Sequence, residues 1–197
     1  MRPLNPKSKR EILAIAIPLF AGSGYSGVSM RTIAQNVGLS AAALYHHFPD
    51  KQALYLAAMA QAFVDKADSL EKILGSRAAP EKRLAQFITR LCELVHQDND
   101  FSVLIQREMM DGDESRLQFL ATEVYRDLFQ GVTELCQELD PKHDPYLLAI
   151  SIIGLVMYHF QTAAIRPYLP HGKKQHNDPQ IVARHVTQFV LQGLKIS

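Results

Sequence analysis

Apolar side chains recur at three- and four-residue steps along nearly the whole chain, the spacing that lines one face of an α-helix. Ser8 followed by Glu11 forms a capping box, opening a helix that buries Ile12, Ile15, Ala16, Leu19 and Phe20. Pro18 stands inside that pattern, where it removes a hydrogen bond and predicts a bend. Gly22, Gly24 and Gly27 then break it. A second helix is expected over 29–36 with Ser29 as its N-cap, then a tight turn at Val37-Gly38-Leu39, then a short helix capped by Ser40 and ended by Pro49. Asp50 caps a long helix that sets Leu56, Met59, Phe63, Ala67, Leu70 and Leu74 on one face. Pro80 reopens a helix through His96, with Leu84, Phe87, Ile88, Leu91 and Val95 inward. The stretches 99–111, 114–139, 145–166 and 178–195 repeat the pattern. No alternating run is bounded by hairpin signals and no internal repeat is present, so the pattern predicts an all-α fold of three short helices and about six longer ones.

Composition narrows this further. The 197 residues are 47% hydrophobic and 21% charged, which fits a globular chain rather than a disordered one. No apolar run approaches the roughly 18 residues of a membrane span. The start, MRPLNPKSKREILAIAIPLFAGSG, pairs basic residues with an apolar stretch. That stretch is short, contains Pro18 and flows into another patterned helix, so a cleaved leader is not expected. Cys92 and Cys136 lie within apolar helical patterns, which predicts two core thiols and a cytoplasmic setting.

The net charge of +1 matters less than its distribution. Residues 1–51 carry six basic side chains (Arg2, Lys7, Lys9, Arg10, Arg31, Lys51) against two acidic ones, whereas the remainder carries fifteen against eighteen. A basic head on a mildly acidic body suits a module that meets a polyanion, although a solvated N-terminus produces the same bias.

Two stretches offer candidate chemistry. Gly22-Ser-Gly24-Tyr-Ser-Gly27 matches the dinucleotide-binding GxGxxG, which acquires meaning only between a strand and a helix, with an acidic residue about twenty positions on. LYHHFPDK stands there instead, and the same glycines also suit a sharp joint between two helices. The second stretch, AQNVGLSAAALYHHFPDK, contains adjacent histidines. Their side chains diverge by about 100° on a helix, whereas helical zinc pairs use i and i+4. His159, His171, His176 and His185 lack ligand spacing too, so no metal is expected. The alternative is a helix that enters a groove. Ile33, Ala34, Val37, Leu39 and Leu44 are apolar or small where two helices would cross at Gly38, the helix-turn-helix layout. Ala41, Ala42 and Ala43 allow close approach to bases and meet thymine methyls, Tyr45 and His46 supply donors, and Lys51 suits a phosphate. A helical hairpin with no nucleic-acid partner would share this pattern.

The segment KREILAIAIPLFAGSGYSGVSMRTIAQNVGLSAAALYHHFPDKQALYLAAM closely resembles the N-terminal domain of tetracycline-repressor-like (TetR-family) transcriptional regulators, over residues 8–60. The resemblance rests on LF..GY, the polar cap before MRTIAQNVGLS, and LYHHFPDKQAL. It implies a helix-turn-helix head (residues 1–51) and a larger effector-binding and dimerisation body (52–197), with repression relieved by a small molecule. By position it marks Arg31, Thr32, Ser40, Ala41, Ala42, Ala43, Tyr45, His46, His47 and Lys51 as DNA contacts. The three alanines leave few hydrogen-bonding groups for base readout, which shifts weight to Arg31, Tyr45, His46 and DNA shape.

The family also pairs its last two helices across a dimer. Leu148, Ile152, Leu155, Val156 and His159 on one, with Val182, His185, Val186 and Phe189 on the other, fit that role, though such stripes also pack inside a monomer. For an effector, the residues expected to line a largely apolar pocket are Met59, Phe63, Gln106, Arg107, Met110, Tyr125, Met157, Tyr158 and His159. The lack of a strong charge cluster favours an uncharged or weakly polar effector. The expectation is therefore a homodimeric, cytoplasmic, ligand-responsive DNA-binding repressor with palindromic double-stranded DNA and a small molecule as partners, no cofactor and no catalytic residue. Its alternatives are a nicotinamide-dependent oxidoreductase built on GSGYSG and a helical protein-interaction module.

Overall fold

A computed structural model describes residues 8–195, leaving aside the side chains of Asp65 and Lys195. Arg2 and Lys7 of the basic head lie outside the described residues. The described chain is helical throughout, with ten α-helices: α1 (Lys9–Ser23), α2 (Met30–Val37), α3 (Ala41–His47), α4 (Lys51–Leu74), α5 (Pro80–Gln97), α6 (Asn99–Asp111), α7 (Glu114–Phe119), α8 (Arg126–Leu139), α9 (Pro145–Gln161) and α10 (Pro179–Lys195). Among the described residues there is no strand. No described helix is long and apolar enough to cross a membrane.

The helix starts follow local chemistry. Ser8 Oγ accepts from Glu11 N–H at 3.2 Å while Ser8 N–H donates to the Glu11 carboxylate at 2.7 Å, closing the expected capping box. Ser29 and Ser40 accept from Thr32 and Ala43 N–H at 3.0 and 3.1 Å, and Asp50 accepts from Ala53 N–H at 2.7 Å. Gly38, at φ +77°, supplies the left-handed residue that ends α2 and lets α3 begin three residues later.

Two of the expected helices carry irregularities. Pro18 lies inside α1 at an exposed position, and the carbonyl it leaves without an intrahelical N–H, that of exposed Ala14, can accept from a donating water instead. The stretch 114–139 is not one helix. A π-helical turn over Leu120–Val124 separates α7 from α8. Thr122 Oγ1 donates back to the Gln118 carbonyl at 3.0 Å, the competition with the helix ladder that weakens a helix interior.

The chain divides into two compact units, one from Met1–Asp65 with Asn99–Val124, the other from Lys66–Asp98 with Tyr125–Ser197. In the first, Phe20 packs edge-on against Tyr55 at 4.8 Å between ring centres, over a core that includes Ile12, Ile33 and Leu44. The second is an apolar core of Leu84, Phe87, Ile88, Val132, Leu135, Ala149, Ile152, Val156, Val182 and Val186. Cys92 and Cys136 are free thiols in that core, and burial pushes them up to about 12 and about 11, so neither forms a thiolate readily.

The glycine motif 22–27 joins α1 to α2, with a helix on each side and none of the strand geometry a dinucleotide site requires. A Cβ on Gly27 would lie 2.2 Å from the Ser23 carbonyl oxygen, so close backbone approach, not a phosphate, accounts for that glycine.

Candidate nucleic-acid interface

Ile33, Val37 and Leu44 lie at 0% exposure and pin α2 and α3 together, so the outward faces of both helices are fixed by the same contacts. Arg31, Thr32, Ser40, Ala41, Ala42, Tyr45 and His46 are exposed, Ala43, His47 and Lys51 half-buried. The serine that starts α3 uses its Oγ for the cap, which leaves its hydroxyl proton for an outside acceptor. Thr32 is less free: its Oγ1 shares a hydrogen bond with Ser29 Oγ at 2.8 Å. Tyr45, half exposed, stands at the end of a surface otherwise made of methyl groups. Ala41 and Ala42 are exposed there between the polar Ser40 and His46, and their methyls suit contact with thymine methyls.

Lys51 is engaged within the protein. Its ammonium donates to the Tyr25 carbonyl at 3.1 Å and lies 4.2 Å from the centre of the Tyr25 ring. An ammonium has three donors, so this bond does not exhaust it, but Lys51 also fixes α4 to the 22–27 turn. Gln35 was missed in the sequence reading. It is exposed one helical turn after Arg31, and the i, i+4 spacing would have found it.

The larger omission lies behind this surface. Glu108, at 0% exposure, accepts from Tyr55 Oη at 2.8 Å and from Arg116 Nε at 2.8 Å. The Arg116 guanidinium stacks 4.5 Å from the Tyr25 ring centre. Burial drives the Tyr55 phenol far above its ordinary range, reinforced by the bond to Glu108. For Arg116, burial works against the charge, yet the hydrogen bond and charge of Glu108 outweigh it and strengthen the hold on its proton. Asp113, the α7 cap, is held below the usual carboxylate range by the Arg116 N–H at 3.0 Å and the Ser115 hydroxyl at 2.8 Å.

The residues expected to line an effector pocket fall in both units. In the first, Met59 and Phe63 are buried, whereas Gln106, Arg107 and Met110 are exposed. In the second, Tyr125, Met157 and His159 are half-buried and Tyr158 is exposed. None of them lines the open groove of about 360 Å³ that runs along α5 past Ile73, Ala85, Thr89 and Glu93.

The expected dimer stripe also divides. Ile152, Val156, Val182 and Val186 are buried in the second unit's own core, so those four side chains are not available to a partner. Leu148 and Leu155 are half-buried, while His185 and Phe189 are exposed. On the outer faces of α9 and α10, Leu147, Ile150, Tyr158 and Phe189 remain large, apolar and exposed.

Residues 12–58 match the model of the family described as bacterial regulatory proteins, tetR family. The HTH-type transcriptional repressor AcnR of Corynebacterium diphtheriae is 32% identical over 120 residues, which are 56% of this chain and 63% of that protein. The chain thus spans less than two thirds of that relative's length. The HTH-type transcriptional repressor KstR2 of Rhodococcus jostii is 28% identical over 192 residues, covering 94% of this chain and 90% of that one. Among solved structures, the transcriptional regulator FadR from Bacillus subtilis in complex with stearoyl-CoA superposes with a TM-score of 0.78 at 16% identity, over 94% of this chain and 99% of that chain, which shows a common fold. Residues 12–58 thus form an N-terminal domain of the tetR family of bacterial regulatory proteins.

Proposed function

We propose that the protein is a homodimeric, ligand-responsive DNA-binding regulator that represses transcription and releases its operator when a small molecule binds. The observation that carries this is the α2–turn–α3 unit, whose buried Ile33, Val37 and Leu44 hold Arg31, Gln35, Ala41, Ala42, Tyr45 and His46 outward as one surface. Its relatives AcnR and KstR2 are transcriptional repressors, which supports the direction of regulation. A homodimer places two such surfaces on half-sites about one DNA turn apart. The exposed Leu147, Ile150, Tyr158 and Phe189 supply the apolar seam, replacing the side chains that face the core. An acyl-CoA thioester, whose charged phosphates depart from the uncharged effector expected from the sequence, is the class to try first, because the structurally similar FadR was solved with stearoyl-CoA. A regulator of this kind works in the cytoplasm and needs no catalytic residue.

Selection of binding sites from a random double-stranded pool by the purified protein is the test. A palindrome with matched half-sites is the expected product. No enrichment at low salt would remove the DNA-reading role. On the selected site, Arg31→Ala is expected to weaken binding by about ten- to a hundredfold, the loss of one base or phosphate contact, with no change in thermal unfolding. A drop in melting temperature would show that Arg31 supports the fold instead.

A further inference from the structure

The outward face of α3 is chemically lopsided. At 3.6 residues per turn, Ala41, Ala42, Tyr45 and His46 share one outward arc of about 140°, while Leu44, at 0% exposure, turns into the core. Ala41 and Ala42 form the first turn of that arc, Tyr45 and His46 the second. A recognition helix meets base edges with its N-terminal residues. In this protein those residues present methyl groups and no side-chain donor or acceptor. Ser40, just before them, accepts the Ala43 N–H at 3.1 Å with its Oγ. The other exposed polar side chains of the unit stand on α2, as Arg31 and Gln35 do, or one turn further along α3.

A methyl group does not distinguish the O4 of thymine from the N4 of cytosine, but it does register whether carbon 5 of the base carries a methyl. Thymine and 5-methylcytosine both carry one in the major groove, whereas uracil and cytosine do not. We infer that the Ala41–Ala42 face reads the 5-methyl group itself, so that 5-methylcytosine substitutes for thymine at the bases it covers and cytosine methylation becomes an input to operator binding. The inference rests on the reading of the protein as an operator binder and names what one part of that surface recognises. Exchanging T·A for methylated C·G swaps the polar groups of both bases: O4 gives way to an N4 donor, and the N6 donor of adenine to the O6 acceptor of guanine. A hydroxyl or a carboxamide in place of the alanine methyls would detect that swap. Methyl burial is non-directional, so it survives the exchange of the polar groups beside it.

The experiment uses the wild-type protein and the palindrome it selects, resynthesised with base analogues in both half-sites. Each thymine is replaced in turn by uracil, by 5-methylcytosine and by cytosine, with guanine opposite the two cytosines. At the thymines under Ala41 and Ala42, uracil is expected to cost about fourfold per methyl removed, about fifteenfold for the symmetric pair. There 5-methylcytosine is expected to bind within about twofold of thymine, and cytosine to fall to the level of uracil. Ala41→Gly and Ala42→Gly remove the protein's methyls and are expected to bring thymine and uracil together at the matching base, which separates direct contact from a change in DNA shape. The base analogues alone decide the matter if a glycine variant unfolds. Uracil that binds as well as thymine at every position, or a selected palindrome without thymine, would overturn the inference while leaving the DNA-reading role intact. So would 5-methylcytosine that falls with cytosine, which assigns those thymines to a hydrogen bond at O4, and so would a uracil penalty undiminished in folded glycine variants. A wild-type protein that enriches no site would overturn both.

Discussion

Both units have apolar cores, but they bury charge differently: in the second, buried Arg83 pairs with an exposed Glu138, whereas the first buries both partners of a pair. The second has a core of leucine, isoleucine, valine and phenylalanine, with its cysteines as further apolar members. The first buries an ion pair, Glu108 with Arg116, and hangs two tyrosines on it. Apolar packing is non-directional and tolerates exchange of one shape for another of equal volume. A buried ion pair tolerates no such exchange of one partner, because the survivor is left charged and dry. The second unit is therefore expected to tolerate exchange of one core shape for another, and the first to fail when one partner of its pair is lost.

The sharpest way to break that contrast is to remove one charge. Glu108→Ala leaves Arg116 without its main buried partner, with Asp111 and Asp113 only at 3.6 and 3.7 Å. A loss of about 3–5 kcal/mol is expected in urea unfolding, with faster amide exchange in the first unit and little change in the second. A loss below about 1 kcal/mol would mean that water already reaches the pair and the contrast is false.

Next comes Ile152→Ala, at 0% exposure in the second unit. An interior cavity costs about 2–5 kcal/mol, independent of protein concentration. If Ile152 instead met a partner subunit, the loss would grow on dilution. Phe189→Glu asks the complementary question. Phe189 is 60% exposed in the single chain, so charging it is expected to leave the second unit folded and to weaken the dimer by about thirtyfold or more in sedimentation, as for an interface anchor. An unchanged sedimentation profile would put the seam elsewhere.

How the sequence served these expectations depended on how far apart the interacting residues lie. Ser8, Ser29, Gly38, Ser40 and Pro49 act on neighbours within four or five positions, so the helix starts and the α2–α3 turn were legible. Arg107 donates to the Gly22 carbonyl across 85 residues, and Tyr55 to Glu108 across 53, so nothing in the local pattern joined them. The outer and inner faces of α9 were confused for another reason. LLAISIIGLVMYHF is apolar nearly all round, so its periodicity does not say which stripe the chain keeps for itself. Burial sends Ile152 and Val156 inward and leaves Leu147, Ile150 and Tyr158 out. Tyr125 was expected inside a continuous helix, and the back-bonded Thr122 just before it marks the break that hydrophobic spacing could not register.

The smallest effect, and the one that separates the units without mutation, is acid. His159 on α9 is held below its ordinary value, first by burial and then by the charges of Arg166 and the neighbouring His185. Its unfolded form therefore binds a proton more readily than its folded form. The stability it contributes is complete above about pH 6.5 and declines as the pH falls through that value toward the lower folded one, where the loss levels off. In the first unit Asp113 is depressed too, but a carboxylate with a lowered folded value keeps its contribution until the pH falls below about 4, and loses it as the pH passes through the folded value. Between pH 7 and pH 5 the second unit should accordingly soften while the α7 cap of the first holds, a difference that amide exchange measured on each unit resolves. His159→Gln should abolish the softening. If the variant follows the wild-type curve over that range, the titrating group is another histidine, and the half-buried position of His159 plays no part in the response.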